Sequence, residues 1–261
     1  MDKCFYTIYC FLIFFNLSLF SCEKNDSSSV EVLVLGAMEE EIEGFLHAAK
    51  NVKTEKWQNF TFYKGQLYGK EVVIARVGIG KSISAILTQY FVMRFSPQYI
   101  VFTGVAGALN KEASIGDVYI AKDCMQYDLD TTALGVELGT IVEIQRRFLP
   151  TDPKLRNLAL STPLKEVTIR EGRILTGDAF LSTEKAHVRQ FLSEELDGDA
   201  IEMEGASVGL VAYVNQIPFL LIRTISDRAD GTAVEDFSSF VNVLSRTSRD
   251  IVEHVFLHLP R

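Results

Sequence analysis

Residues 199–230 read DAIEMEGASVGLVAYVNQIPFLLIRTISDRAD, and the fold follows from this stretch. The acidic turn Glu202-Met203-Glu204 opens onto a small-residue helix start, Gly205-Ala206-Ser207, and the helix runs to about Asn215. Pro218 resets the chain. Phe219 to Ile225 then reads as a buried strand, apolar except for Arg223 and Thr224 near its end. Ser226-Asp227 sits at its carboxyl end, followed by Arg228 and Asp230. Open α/β sheets bind ligands outside the carboxyl ends of their strands. Glu202, Glu204, Arg223 and Asp227 are therefore expected near one rim. There a strand-end carboxylate can serve as an acid, and one at a helix start can grip hydroxyls.

Composition suits an enzyme. Without its N-terminal segment the chain keeps about 240 residues, enough for one large α/β domain with a substantial core. It is 48% apolar and 23% charged, a globular rather than disordered balance. The net charge of −8 disfavours a polyanion such as nucleic acid as principal ligand.

Residues 1–29 read as targeting. Lys3 precedes an apolar run from Phe5 to Phe20, then Leu19-Phe20-Ser21-Cys22 and a polar tether, Glu23 to Ser29. A cationic start and a short apolar core mark a secretory signal. A small residue just before a cysteine resembles a bacterial lipoprotein processing site. The expected division is a signal peptide over 1–21, a tether over 22–29 with Cys22 lipidated, and a single domain over 30–261. The expected location is the cell envelope, by an exported, lipid-anchored route. An uncleaved anchor helix or an ordinary cleaved signal is the other reading. The mature chain would keep Cys22 and Cys124, too few for a disulfide framework.

Further along, Val32-Leu33-Val34-Leu35-Gly36 reads as a first buried strand. Its turn feeds Met38-Glu39-Glu40-Glu41 and a helix to about Lys50. Acidic residues in a first turn suit the helix dipole, yet three in a row exceed what a cap requires. Trp57 to Val77 alternates like antiparallel strands joined by tight turns. Gly78-Ile79-Gly80-Lys81-Ser82 then opens a helix to about Phe95. Its GxGKS lacks the GxxxxGK spacing of a phosphate loop, so a glycine turn that lets a ligand approach the backbone is the better reading. A strand over Tyr99–Thr103 enters the turn Gly104-Val105-Ala106-Gly107, and another begins near Val118. Residues 126–148 read as a long loop over a site or a subunit contact. A short helix over 152–160, a strand over 167–175 and a helix from Ser182 or Thr183 follow. Phe237–Leu259 closes the chain as an amphipathic helix. The four histidines are scattered, and no metal-ligand cluster is present in the sequence.

This alternation predicts a three-layer α/β/α domain with a mixed sheet. Six segments then carry a resemblance, in order along residues 31–259: Gly36-Ala-Met-Glu-Glu-Glu41, Gly78-Ile-Gly-Lys81, Thr103-Gly104 with Ala106-Gly107, Gly177-Asp-Ala-Phe180, Glu202-Met-Glu204 and Ile225-Ser-Asp227. Together they resemble the bacterial 5′-methylthioadenosine/S-adenosylhomocysteine nucleosidases of the purine nucleoside phosphorylase superfamily. The resemblance implies hydrolysis of the bond between adenine and a 5′-thio-substituted ribose, with no cofactor, in a homodimer. By the same resemblance Asp227 is the general acid towards the purine N7, and Glu41 is the base that takes a proton from water. Glu204 would hold the ribose hydroxyls beside the Met203 main chain. Phe180 would stack on adenine, and main-chain groups of Phe180 or Leu181 would read its edge. Met38, Ile79 and Phe237 would line the alkylthio pocket, with Ser226 and Arg223 among the substrate-binding residues.

The chain departs from the family pattern at Val105, where a polar residue is usual, and at Leu134, where an aromatic one is common. Other readings are a phosphorylase of the same fold, another nucleoside hydrolase, and a lipid-anchored binding or adhesion protein on this scaffold. The first needs a phosphate site, usually built with arginine, and Phe102-Thr103-Gly104 has none.

Overall fold

Val32–Gly36 forms strand β1, whose five residues are all buried, as an apolar run flanked by strands and covered on both faces must be. In the computed structural model residues 29–165, 167–182, 186–230 and 233–259 are described, with the backbone alone for 186 and 233–245. After β1 come α1 (Glu39–Ala48), β2 (Lys50–Trp57), β3 (Phe60–Leu67), β4 (Lys70–Arg76), α2 (Lys81–Phe95) and β5 (Tyr99–Ala108). There follow β6 (Val118–Gln126), β7 (Leu149–Pro150), α3 (Pro153–Leu160), β8 (Ile169–Thr176) and α4 (Ala186–Gln190). The chain closes with β9 (Ala200–Glu202), α5 (Gly205–Val214), β10 (Phe219–Asp227) and α6 (Ala233–His258).

The strands form one mixed sheet, and β1 divides its residues between two cores. Val32 and Val34 pack with Ile42 and Phe45 of α1, Leu155 of α3, and Ile251 and Val255 of α6. Leu33 and Leu35 pack on the opposite face with Leu87 and Phe91 of α2 and Val208 and Ala212 of α5. Alternation along the strand thus yields three layers. At 25 cal/mol per Å² of apolar surface, each such fully buried side chain stabilises the fold by roughly 1.5–3 kcal/mol.

One half of the sheet closes on itself. Strand β5 pairs in parallel with β1 along Tyr99–Phe102 and with β10 along Ile100–Gly107. Past the end of β1 it takes a new neighbour, with Gly107 and Ala108 pairing antiparallel to Ile201 and Ala200 of β9. β9 pairs with β8, β8 with β6, and β6 with β10, which completes a ring of five strands. The place where β5 exchanges β1 for β9 is a topological switch point, the position at which such sheets bind ligands.

Three elements differ from the sequence expectation. Gly104–Gly107 is part of β5 rather than a turn after it. Lys50–Trp57 is a strand, mostly exposed and charged, at the edge of the sheet, where such side chains discourage pairing with other chains. Ala200–Glu202 adds a three-residue strand just before the acidic turn. The helix start expected at Ser182 or Thr183 lies at the border of residues outside the described set, and α4 is described from Ala186. The loop 126–148 is built around two short 3₁₀ turns, Thr132–Leu134 and Val142–Ile144. The expected signal peptide and lipidated Cys22 also lie outside the described residues, which begin at residue 29.

Candidate active site

A cavity of about 360 Å³ opens at the switch point. The acidic first turn of α1 supplies its first carboxylate. Glu41 stands at the third helical position, and its Oε2 accepts from the main-chain N–H groups of Ala37 at 2.6 Å and Met38 at 3.0 Å. Its Oε1 accepts from the N–H of Val105 at 3.1 Å. Glu41 therefore caps the helix and also faces the cavity, whereas Glu39 is exposed. Burial pushes its carboxyl above the ordinary 4.5, against the pull of Arg223 and the three main-chain donors.

The second carboxylate arrives on β10. Ile225 pairs with Ala106 and Asp227 with Gly107, so Ser226 is the extra residue of a bulge. The bulge re-aims the strand end into the cavity. Asp227 Oδ2 accepts from Ser226 Oγ at 2.7 Å, and Oδ1 accepts from the N–H of Ala229 at 2.8 Å. Ser226 and Asp227 both line the cavity.

Glycines in β5 make room for both groups. A Cβ on Gly104 would lie 2.5 Å from Glu41 Oε1 and 3.0 Å from Arg223 Nη1. One on Gly107 would lie 2.7 Å from Asp227 Oδ1. Real side chains do not approach so closely, so both carboxylates rest directly on the backbone of one strand.

Glu204, at the N-cap position of α5, is the third. Its Oε1 accepts from the N–H of Gly80 at 2.8 Å, a bond from the glycine turn before α2. Burial, and then the charge of Glu202, hold its carboxyl up at about 8. Glu202 itself is committed to structure. Its Oε2 accepts from the N–H groups of Glu204 and Gly205 at 3.1 and 2.7 Å and from Arg223 Nη2 at 2.6 Å. Its other oxygen takes the hydroxyl of Thr176.

Arg223 is placed differently from the expectation. It is 1% exposed and does not line the cavity. Its Nε and Nη2 donate to Glu202 and its Nη1 to the carbonyl of Ile222, and its guanidinium carbon lies 4.2 Å from the centre of the Phe102 ring. A cation buried behind three carboxylates offsets their mutual repulsion instead of meeting a ligand. The remaining candidates Met38, Ile79, Phe180, Leu181 and Met203 all line the cavity. Ile79 and Phe180 form its open side, 59% and 47% exposed. The side chain of Phe237 lies outside the described residues. The main-chain donors of Gly80 and Val105 escaped the sequence reading, although the glycine turn and the TGVAG run pointed at both segments. Val105 lacks a polar side chain, yet its N–H reaches the site.

The family model of the phosphorylase superfamily matches residues 31–256. This chain belongs to that superfamily. Among its relatives, the aminodeoxyfutalosine nucleosidase of Campylobacter jejuni is 39% identical, over 85% of this chain and 96% of its own. The 5′-methylthioadenosine/S-adenosylhomocysteine nucleosidase of Staphylococcus haemolyticus is 32% identical, over 84% and 96%. The corresponding Neisseria meningitidis enzyme, solved with methylthio-immucillin-A, is 30% identical and superimposes with a TM-score of 0.83, over 88% of this chain and 99% of that one. Within the superfamily the fold, mixed sheet and helices of the present chain are those of the nucleosidases.

Proposed function

We propose that this protein hydrolyses the N-glycosidic bond of 5′-methylthioadenosine and S-adenosylhomocysteine, releasing adenine and the 5-thio-substituted ribose. The observation that carries the reading is the meeting of Glu41, Asp227 and Glu204 in one small, largely apolar cavity. Cleavage generates an oxocarbenium-like ribose and an adenine that leaves poorly as an anion. Asp227 donates a proton to N7, so that the electron pair of the breaking C–N bond passes to a neutral base. Water adds to the ribose C1′, and Glu41 takes its proton. A carboxyl raised by burial is the stronger base for that task. Glu204 holds the ribose hydroxyls, with Met203 beside it, while Phe180 and Leu181 engage adenine and Met38 and Ile79 line the side towards the tail.

The named activities of its relatives support this reading. A second substrate of the same chemistry, aminodeoxyfutalosine, has the 39% identical relative in its favour. Incubating the purified protein with each nucleoside and quantifying adenine by chromatography ranks them. Absence of adenine from all of them would refute the reading.

Two further features belong to the same proposal. The working unit is a homodimer. Ile86 and Met93, two turns apart on one face of α2, are 54% and 76% exposed, and Leu134 in the long loop is 71% exposed, which suits an apolar subunit contact. The protein is exported and tethered to the cell envelope by acylation of Cys22, for which the Ser21-Cys22 pattern is the support. Among the described residues no helix is long and apolar enough to cross a membrane.

A further inference from the structure

Lys81, in the GxGKS turn, has no part in the proposed chemistry, and its surroundings are specific. Its Nζ lies 2.5 Å from Asp128 Oδ1 and 3.8 Å from Asp178 Oδ2. Its main-chain N–H donates to Asp178 Oδ1 at 2.8 Å, and the N–H of Asp178 donates to Asp128 Oδ2 at 2.9 Å. Three segments distant in sequence are thereby joined in a closed ring: the start of α2, the loop just after β6, and the loop after β8. The ring is tightly built. A Cβ on Gly80 would sit 3.2 Å from Asp178 Oδ1, and one on Gly177 would run into the ring of Tyr127.

Each joined segment carries a wall of the cavity mouth. Ile79 lies two residues before Lys81, and Phe180 two residues after Asp178. Both side chains are about half exposed. Gly80, between Ile79 and Lys81, also donates to Glu204. We propose that Lys81 is a positioning residue, whose ammonium closes the ring with Asp128 and Asp178, holds the Phe180 loop against the Ile79 turn, and so sets affinity for the nucleoside. Without that cation Asp128 and Asp178 are like charges at short range, and the loop swings away from the turn. The chemistry is held elsewhere: Glu41 by Ala37, Met38 and Val105, and Asp227 by Ser226 and Ala229. The effect therefore falls on KM and spares kcat.

The inference rests on the nucleosidase reading, and the kinetics of Lys81→Met, Lys81→Arg and Asp128→Asn on methylthioadenosine test it. The ring is partly solvated, so KM for Lys81→Met is expected to rise about tenfold while kcat stays within about threefold. Lys81→Arg keeps the charge and recovers most of the loss. In wild type, raising salt from about 0.05 to about 0.5 M raises KM, and in Lys81→Met it does not. An unchanged KM in a folded Lys81→Met, or equal falls in kcat and kcat/KM, overturns the inference. If Lys81→Met does not fold, Asp128→Asn, which preserves shape, decides by the same split. A wild type that releases no adenine defeats the hydrolase reading instead. Calorimetric binding of adenine to wild type and Lys81→Met then makes the comparison, and equal affinity overturns the role of Lys81.

Discussion

Gly104 and Gly107 stand three residues apart in β5, and each lies beneath one of the carboxylates assigned to proton transfer. Gly104→Ala introduces only a methyl group, in a backbone conformation open to any residue, yet it displaces the Glu41 carboxylate and the Arg223 fork together. We expect kcat to fall by about 10²-fold or more with the fold retained, read from steady-state rates beside circular dichroism. Direct substitution of the proton-transfer groups is the companion case: Asp227→Asn and Glu41→Gln each lower kcat by about 10²–10⁴-fold. Glu204 gives a pH signature. Its carboxyl is held at about 8 in the fold against an ordinary 4.5, so between those values the folded protein keeps a proton that the unfolded chain releases. Stability from this group is complete below about pH 4.5 and lost as pH rises through about 8. Glu204→Gln, always neutral, should melt higher than wild type at about pH 8.5 and alike near pH 4. The same variant should bind substrate more weakly, because an amide NH₂, which only donates, replaces an oxygen able to accept from a ribose hydroxyl.

At the scale of elements, the helices and buried strands were legible because their side chains report their surroundings. The run Phe219–Ile225 is apolar because helices cover both its faces, and the start of α5 is marked by small residues that pack close to Glu202 and Leu221. The polar strand β2 was not legible, since an edge strand facing water has no core to encode. Nor was β9, which is three residues long, or the closure of five strands into a ring, which depends on pairings between distant segments. Within the site, Glu41, Glu204 and Asp227, singled out in the sequence, line the cavity together with Glu202. The place of Arg223 was not, because a cation in a buried strand reads the same whether it meets a ligand or a neighbouring glutamate. The Ser226 bulge belongs to this scale too. Ser226→Ala keeps the bulge but removes the hydroxyl donated to Asp227, and kcat should fall about tenfold with KM little changed, a split that initial rates resolve.

For the whole molecule, the proposed anchor and the proposed reaction are separable. Two or more acyl chains on Cys22 would hold the protein stably on a membrane, where one chain alone would not. Cys22→Ala should therefore move the protein from the detergent phase to the aqueous phase with its specific activity intact, and continued partition into detergent would point to an uncleaved anchor helix. The reaction itself turns on water as the nucleophile, the property that divides hydrolases from phosphorylases on this fold. The most direct measurement is mass spectrometry of the sugar product formed from methylthioadenosine in ¹⁸O-labelled water, with and without added phosphate. Free methylthioribose carrying ¹⁸O at C1, formed at a rate indifferent to phosphate, is the predicted result. Methylthioribose 1-phosphate, accumulating in proportion to phosphate, would contradict it.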